Sequence, residues 1–161
     1  MVTTNKLRNI SLFLGFTVLA VYAIGSGFWV NTGDSWYRSL NAPSWQPPDF
    51  VFGLIWPYNF FVIGVCIYTN WQKFSTRNWS IWLILLTISV IFALLWSYQF
   101  YRPHNLMFAA IALSLAAIFT IPLTILNFSA SLNTGLAFLP YQIWVLLASS
   151  LSWGYYFLNR N

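Results

Sequence analysis

Five apolar stretches, roughly residues 10–30, 51–70, 79–100, 106–126 and 135–158, alternate with more polar connections along the chain. Each is about 20 residues long, the length a helix needs to cross the hydrocarbon core of a bilayer. All seven Lys and Arg, both acidic residues and His104 fall outside them. A charge at mid-bilayer costs about 2.5–3.5 kcal/mol on insertion scales, so this segregation reads as five crossings. The pattern predicts an all-α integral membrane bundle of five transmembrane helices, one domain over residues 1–161 with no soluble part. The first stretch is too long for the apolar core of a secretory signal and is read as a retained span. Connections after the second, third and fourth spans are short and predict antiparallel neighbours.

The first connection, residues 31–50, is different. It holds Trp36, Tyr37, Trp45, three prolines and both acidic residues, Asp34 and Asp49. A loop of about 20 residues in a compact domain is unusual and often functional. Pro47-Pro48 stiffens it and its aromatic residues give it something to pack, whereas a flexible linker is rich in Gly and Ser. The expectation is a structured loop folded over one end of the bundle as a lid.

Composition sharpens the class: 59% of residues are hydrophobic, 21% aromatic and 6% charged. Soluble domains carry about 25% charged residues, so lipid is the main solvent here. The net charge of +5 is scattered over termini and short connections, where basic residues meet headgroups, which leaves no nucleic-acid role. With the N-terminus inside, Lys6, Arg8, Lys73 and Arg77 face Arg38, Arg102 and Arg160 across the membrane, which barely fixes orientation. Cys66 stands alone, so neither an internal disulfide nor a cysteine-rich metal site can form. With one His, two Asp and no Glu, acid–base, nucleophilic and metal catalysis lack candidate residues. No ionisable group sits inside a span, as pumps and voltage sensors require. His104 reads as an interfacial turn residue, with axial haem ligation as the sharper reading.

Aromatic residues carry the remaining information. Trp29, Trp71, Trp79, Trp82 and Trp153 lie near span ends and fit an interfacial belt. Trp56, Trp96 and Trp144 lie deeper. Gly53, Trp56, Phe60 and Gly64 share one helical face, Phe92, Trp96 and Phe100 a second, and Trp144, Ala148, Leu151, Ser152 and Tyr155 a third. Such faces either pack helices tightly or border a slot for a flat apolar molecule.

The run Trp36-Tyr37-Arg38-Ser39-Leu40-Asn41-Ala42-Pro43-Ser44-Trp45-Gln46-Pro47-Pro48, continuing into Val51-Phe52-Gly53-Leu54-Ile55-Trp56 and Gly64, resembles the signature of the tryptophan-rich sensory protein or translocator protein (TspO/MBR) family. Trp96-Ser97 with Phe100 is similar to its third-helix motif. Leu139-Pro140-Tyr141-Gln142-Ile143-Trp144 with Ala148, Leu151 and Leu158-Asn159 is similar to its fifth. The resemblance implies a five-helix bundle, commonly a homodimer in the lipid bilayer, that binds protoporphyrin IX, haem and often sterols. No cofactor is then required, porphyrin or haem entering as ligand. It places a pocket at Trp56, Phe60, Trp96, Phe100, Trp144, Ala148 and Leu151, beneath a lid carrying Trp36 and Trp45; Phe92 and Ser152 join as face neighbours. Three positions depart from the family pattern. Phe60 (after Pro57), Ala93 and Ser152 each remove or shorten a polar group expected to face the pocket. A sterol-type pattern, Leu151, Tyr155 and Arg160, closes the chain, although such patterns match many helix ends. The leading functional expectation is a tetrapyrrole receptor or carrier. The alternatives are an enzyme in which Trp56 and Trp144 take part in light-dependent porphyrin degradation, and a non-catalytic assembly subunit.

Overall fold

The computed structural model describes the backbone of residues 2–160 and the side chains of residues 7–160; Lys6, counted in the charge balance, lies outside the described side chains. Six helices follow one another: α1 (Val2–Phe28), α2 (Ser35–Ser39), α3 (Asp49–Lys73), α4 (Thr76–Tyr101), α5 (Leu106–Ala130) and α6 (Leu132–Asn159). All except the short α2 are long and apolar enough to cross a membrane. The chain is a multi-pass, all-helical integral membrane protein.

Its surface is inverted relative to a soluble domain. Phe13, Ile24 and Phe61 are more than 70% exposed, while Asn59, Asn70 and Asn127 are fully buried. Lipid solvates the first set, and the second would be costly anywhere in hydrocarbon. Asn70 Nδ2 donates to Asn127 Oδ1 at 2.6 Å, and Trp82 Nε1 donates to the same oxygen at 3.1 Å. One amide thereby ties α3, α4 and α5 together. Trp79 and Trp82, expected in an interfacial belt, are instead 2% and 0% exposed. Each indole N–H has an inward acceptor, Trp79 using Ser11 Oγ at 2.8 Å, so the rings need no headgroups.

The five long helices form a ring. α5 packs along α4 and α6, α6 meets α3, and α1 closes the circle by touching both α3 and α4. α4–α5 and α5–α6 are the closely packed pairs that short connections lead one to expect, whereas α3 and α4, joined through Phe74 and Ser75, each pack against α1. A Cβ on Gly15 of α1 would meet Ile67 at 3.1 Å and Trp79 at 3.4 Å, which shows how closely α1 is wedged there.

Helix ends differ from the apolar boundaries for identifiable reasons. Ser75 and Asn105 cap α4 and α5 by accepting from the backbone N–H of Asn78 and Phe108. Ser131 alone separates α5 from α6: its extended backbone ends one helix while its Oγ caps the next at Thr134 N. Residues 127–134 therefore are not a loop. Asn127 and Thr134 gave that impression because they are polar, but both point inward. At the end of the bundle opposite the lid, Arg8 donates to the carbonyls of Trp71 and Phe74, filling acceptors that the end of α3 leaves open.

Candidate functional site: a lidded aromatic cavity

Between α1 and α3 the helices are in contact through their midsections and part toward the long connection. Gly64 of α3 lies against Leu19 and Phe16 of α1, and Tyr22 packs edge-on against Phe60 and Trp56 at 5.4 and 6.1 Å. Beyond this point, a Cβ built on Gly27 or Gly53 meets nothing within 4 Å. The divergence opens a cavity of about 870 Å³, lined by residues from all five long helices and from the connection above. Its volume lies within the range of about 300–1,000 Å³ typical of small-molecule sites.

The walls are aromatic. Trp56, Phe60, Trp96, Phe100, Trp144, Ala148, Leu151 and Ser152, singled out from the sequence, all line this space. The cause is helical spacing: positions three and four apart stack on one face, and the ring of helices turns each of these faces inward. Phe60 stacks on Trp56 at 5.5 Å, and Phe52 meets Trp144 edge-on at 5.1 Å. Pro57 carries no N–H, so the Gly53 carbonyl lacks its usual helical donor, and both residues sit on the cavity rim.

Phe92 does not belong to this set. It stacks on Phe119 of α5 at 5.8 Å with rings 10° apart, which turns it away from the cavity although it is four residues from Trp96. The sterol-type triplet does not form one surface either. Leu151 and Tyr155 are buried against the cavity, whereas exposed Arg160 lies past the end of α6, 5.0 Å from the Phe157 ring. Arg160 has extended backbone and is not among the residues lining the cavity.

The lid is fastened on one side. Asn41 N donates to Asn159 Oδ1 at 2.8 Å and Asn159 Nδ2 returns a bond to Asn41 O at 3.0 Å. Tyr155 donates its phenolic proton to Gln46 Oε1, and Trp45 Nε1 donates to Ser150 Oγ at 3.3 Å. Pro43 and Trp45 press so closely on Gly154 that only a residue without Cβ leaves them room. Every one of these partners lies on α6. Trp36 lies flat on the ring of His104 in the turn between α4 and α5, 3.6 Å between centroids, and edge-on to Phe100 of α4. His104 holds a left-handed φ of 57°, which presents its ring to Trp36; neither lines the cavity, so His104 is a packing partner for the lid here.

Trp36 and Trp45 thus anchor the lid, while Tyr37, Arg38 and Gln46 line its underside. No pattern along the chain favours these three, since their roles depend on how the loop folds back. Ser152 reads differently as well. Its hydroxyl accepts from Trp96 Nε1 at 3.2 Å, so this shortened side chain fixes an indole wall and joins α4 to α6. Ala93 and Phe60 line the cavity without adding hydrogen-bonding groups. Trp144 Nε1 is buried and has no partner. Among the described residues, no group of three or more His, Cys, Asp or Glu could hold a metal ion.

A model of the TspO/MBR family matches residues 13–158 of the chain. The Tryptophan-rich protein TspO of Archaeoglobus fulgidus is 33% identical over 151 residues, covering 89% of this chain and 94% of the relative. A protein of the same name from Bacillus cereus is 30% identical over 125 residues, covering 78% and 81%. The human Translocator protein is 25% identical over 144 residues, covering 87% and 85%. With five spanning helices, an aromatic cavity and a match over nearly its whole length, this chain belongs to the TspO/MBR family of membrane proteins.

Proposed function

We propose that the protein is a membrane receptor or carrier whose cavity takes up tetrapyrroles such as protoporphyrin IX or haem. The observation that carries this reading is the form of the site: about 870 Å³ of space walled by Trp56, Trp96, Trp144, Phe60 and Phe100 beneath a latched lid. A planar macrocycle gains apolar burial and ring stacking in such a space, and each aromatic pair contributes about 0.5–1.5 kcal/mol beyond burial. Family membership supports a sensory or carrier role in the membrane. Leu151 and Tyr155 face the same cavity, so a sterol, if taken up, would compete for this space rather than for a site on the outer surface of α6.

The test is quenching of tryptophan fluorescence by protoporphyrin IX in detergent-solubilised protein. Saturable quenching is expected for the wild type, with affinity at least tenfold lower in a Trp56→Ala, Trp144→Ala double variant, a factor of ten corresponding to about 1.4 kcal/mol. Unchanged affinity in the double variant refutes this cavity as the site.

A further inference from the structure

We propose that the cavity selects amphipathic acids, binding a flat apolar body among its tryptophans and a carboxylate at its mouth against Arg38. This inference rests on the aromatic cavity as a ligand site and adds the charge of the ligand to it.

Arg38 and Asp49 are the two charged side chains among the residues lining the cavity. Both are exposed at the rim, and neither is within ion-pair distance of a partner among the described residues. Arg38 lies in the last turn of the short helix α2, whose N-terminus is capped by Asp34; that carboxylate accepts from Trp36 N and from Ser35 Oγ, both at 3.4 Å. Both bonds end on one oxygen, Asp34 Oδ1, so this carboxylate serves as the cap of α2. α2 itself is held by Trp36 on His104 and by the bond between the Tyr37 and Tyr155 hydroxyls, so Arg38 projects from an anchored element. A guanidinium presents donors in a planar fork that matches a carboxylate. Deeper in the cavity the lining is uncharged and mostly apolar, so a carboxylate there would meet no cation. The site therefore has a polarity: acid at the rim, rings inside. Asp49, in the first turn of α3 and also lining the cavity, opposes an anion and tunes this preference downward.

Protoporphyrin IX and its dimethyl ester share one ring system and differ in the two carboxylates, so the pair isolates the rim from the walls. Binding is measured by tryptophan quenching in uncharged detergent at low ionic strength. An exposed ion pair contributes about 0.2–1 kcal/mol, so Arg38→Gln is expected to weaken acid binding up to about fivefold while leaving the ester unchanged. Arg38→Lys should retain part of the preference, and Asp49→Asn should strengthen acid binding alone. Raising salt should shrink the difference between acid and ester in the wild type. Equal loss of acid and ester in Arg38→Gln overturns the proposal, as does no loss of either. If neither compound binds the wild type, the tetrapyrrole reading falls and this inference falls with it.

Discussion

Replacing Gly154 by alanine sets two small free energies against each other. Within a helix, alanine is favoured over glycine by about 0.8–1.0 kcal/mol, since it loses less backbone entropy. At this position, however, the added Cβ would lie 2.6 Å from Pro43 Cγ and 2.8 Å from Trp45 Cζ2. Carbon atoms attract best at about 3.5–4.0 Å, so the lid must retreat by about 1 Å. Pro43 is a rigid ring, its carbonyl accepts from Gln46 N, and two residues earlier Asn41 is paired to Asn159 by two bonds. Overpacking of this kind costs about 1–3 kcal/mol. The net expectation is a loss of up to about 2 kcal/mol, with the lid loosened. Gly53→Ala provides the control, because its Cβ meets nothing within 4 Å and only the helix preference remains. The two variants should differ by about 1–3 kcal/mol in reversible unfolding by SDS titration in mixed micelles, and residues 31–48 should become more sensitive to limited proteolysis in Gly154→Ala alone. Equal stability of the two variants, with unchanged cleavage, refutes the claim that the lid is clamped onto α6 through this glycine.

Other contacts make separable predictions. Asn127→Leu leaves the Asn70 amide and the Trp82 N–H without their shared acceptor, and orphaned buried groups cost about 1–3 kcal/mol each, so SDS titration should show a clear loss. Asn159→Ala removes both bonds to Asn41, and faster proteolysis of the connection is expected while the far-ultraviolet helical signal is retained. Ser152→Ala frees the Trp96 indole, and near-ultraviolet circular dichroism should register a less ordered ring while porphyrin affinity falls severalfold. Gly135→Ala drives a methyl to within about 2.2 Å of the Phe128 ring and should destabilise the Ser131 turn by about 1–3 kcal/mol, read in the same titration.

Much of this molecule is determined by sequence alone, because in lipid the rules are few. Every backbone polar group must be paired within the membrane, so five long apolar stretches have to be helices. The exclusion of charge from them places most of their ends to within a few residues, although α1 begins at Val2 and takes in Arg8. The faces bearing Trp56, Trp96 and Trp144 follow from the 3.6-residue repeat, which aligns them whatever surrounds the helix. What the repeat does not say is which neighbour each face meets, and there tertiary structure decides. Phe92 shares a face with Trp96 yet turns to Phe119, since α5 lies on that side of α4. Trp79 and Trp82 resemble belt residues by position, but Ser11 and Asn127 on other helices supply acceptors that bring them inside. Arg38, Gln46 and Tyr37 line the cavity because a loop held by Gly154, Tyr155 and Asn159 folds back over it, joining residues more than 100 positions apart. Periodicity is a property of one helix and can be read locally. A cavity is a property of the space between several, and exists only once they have been assembled.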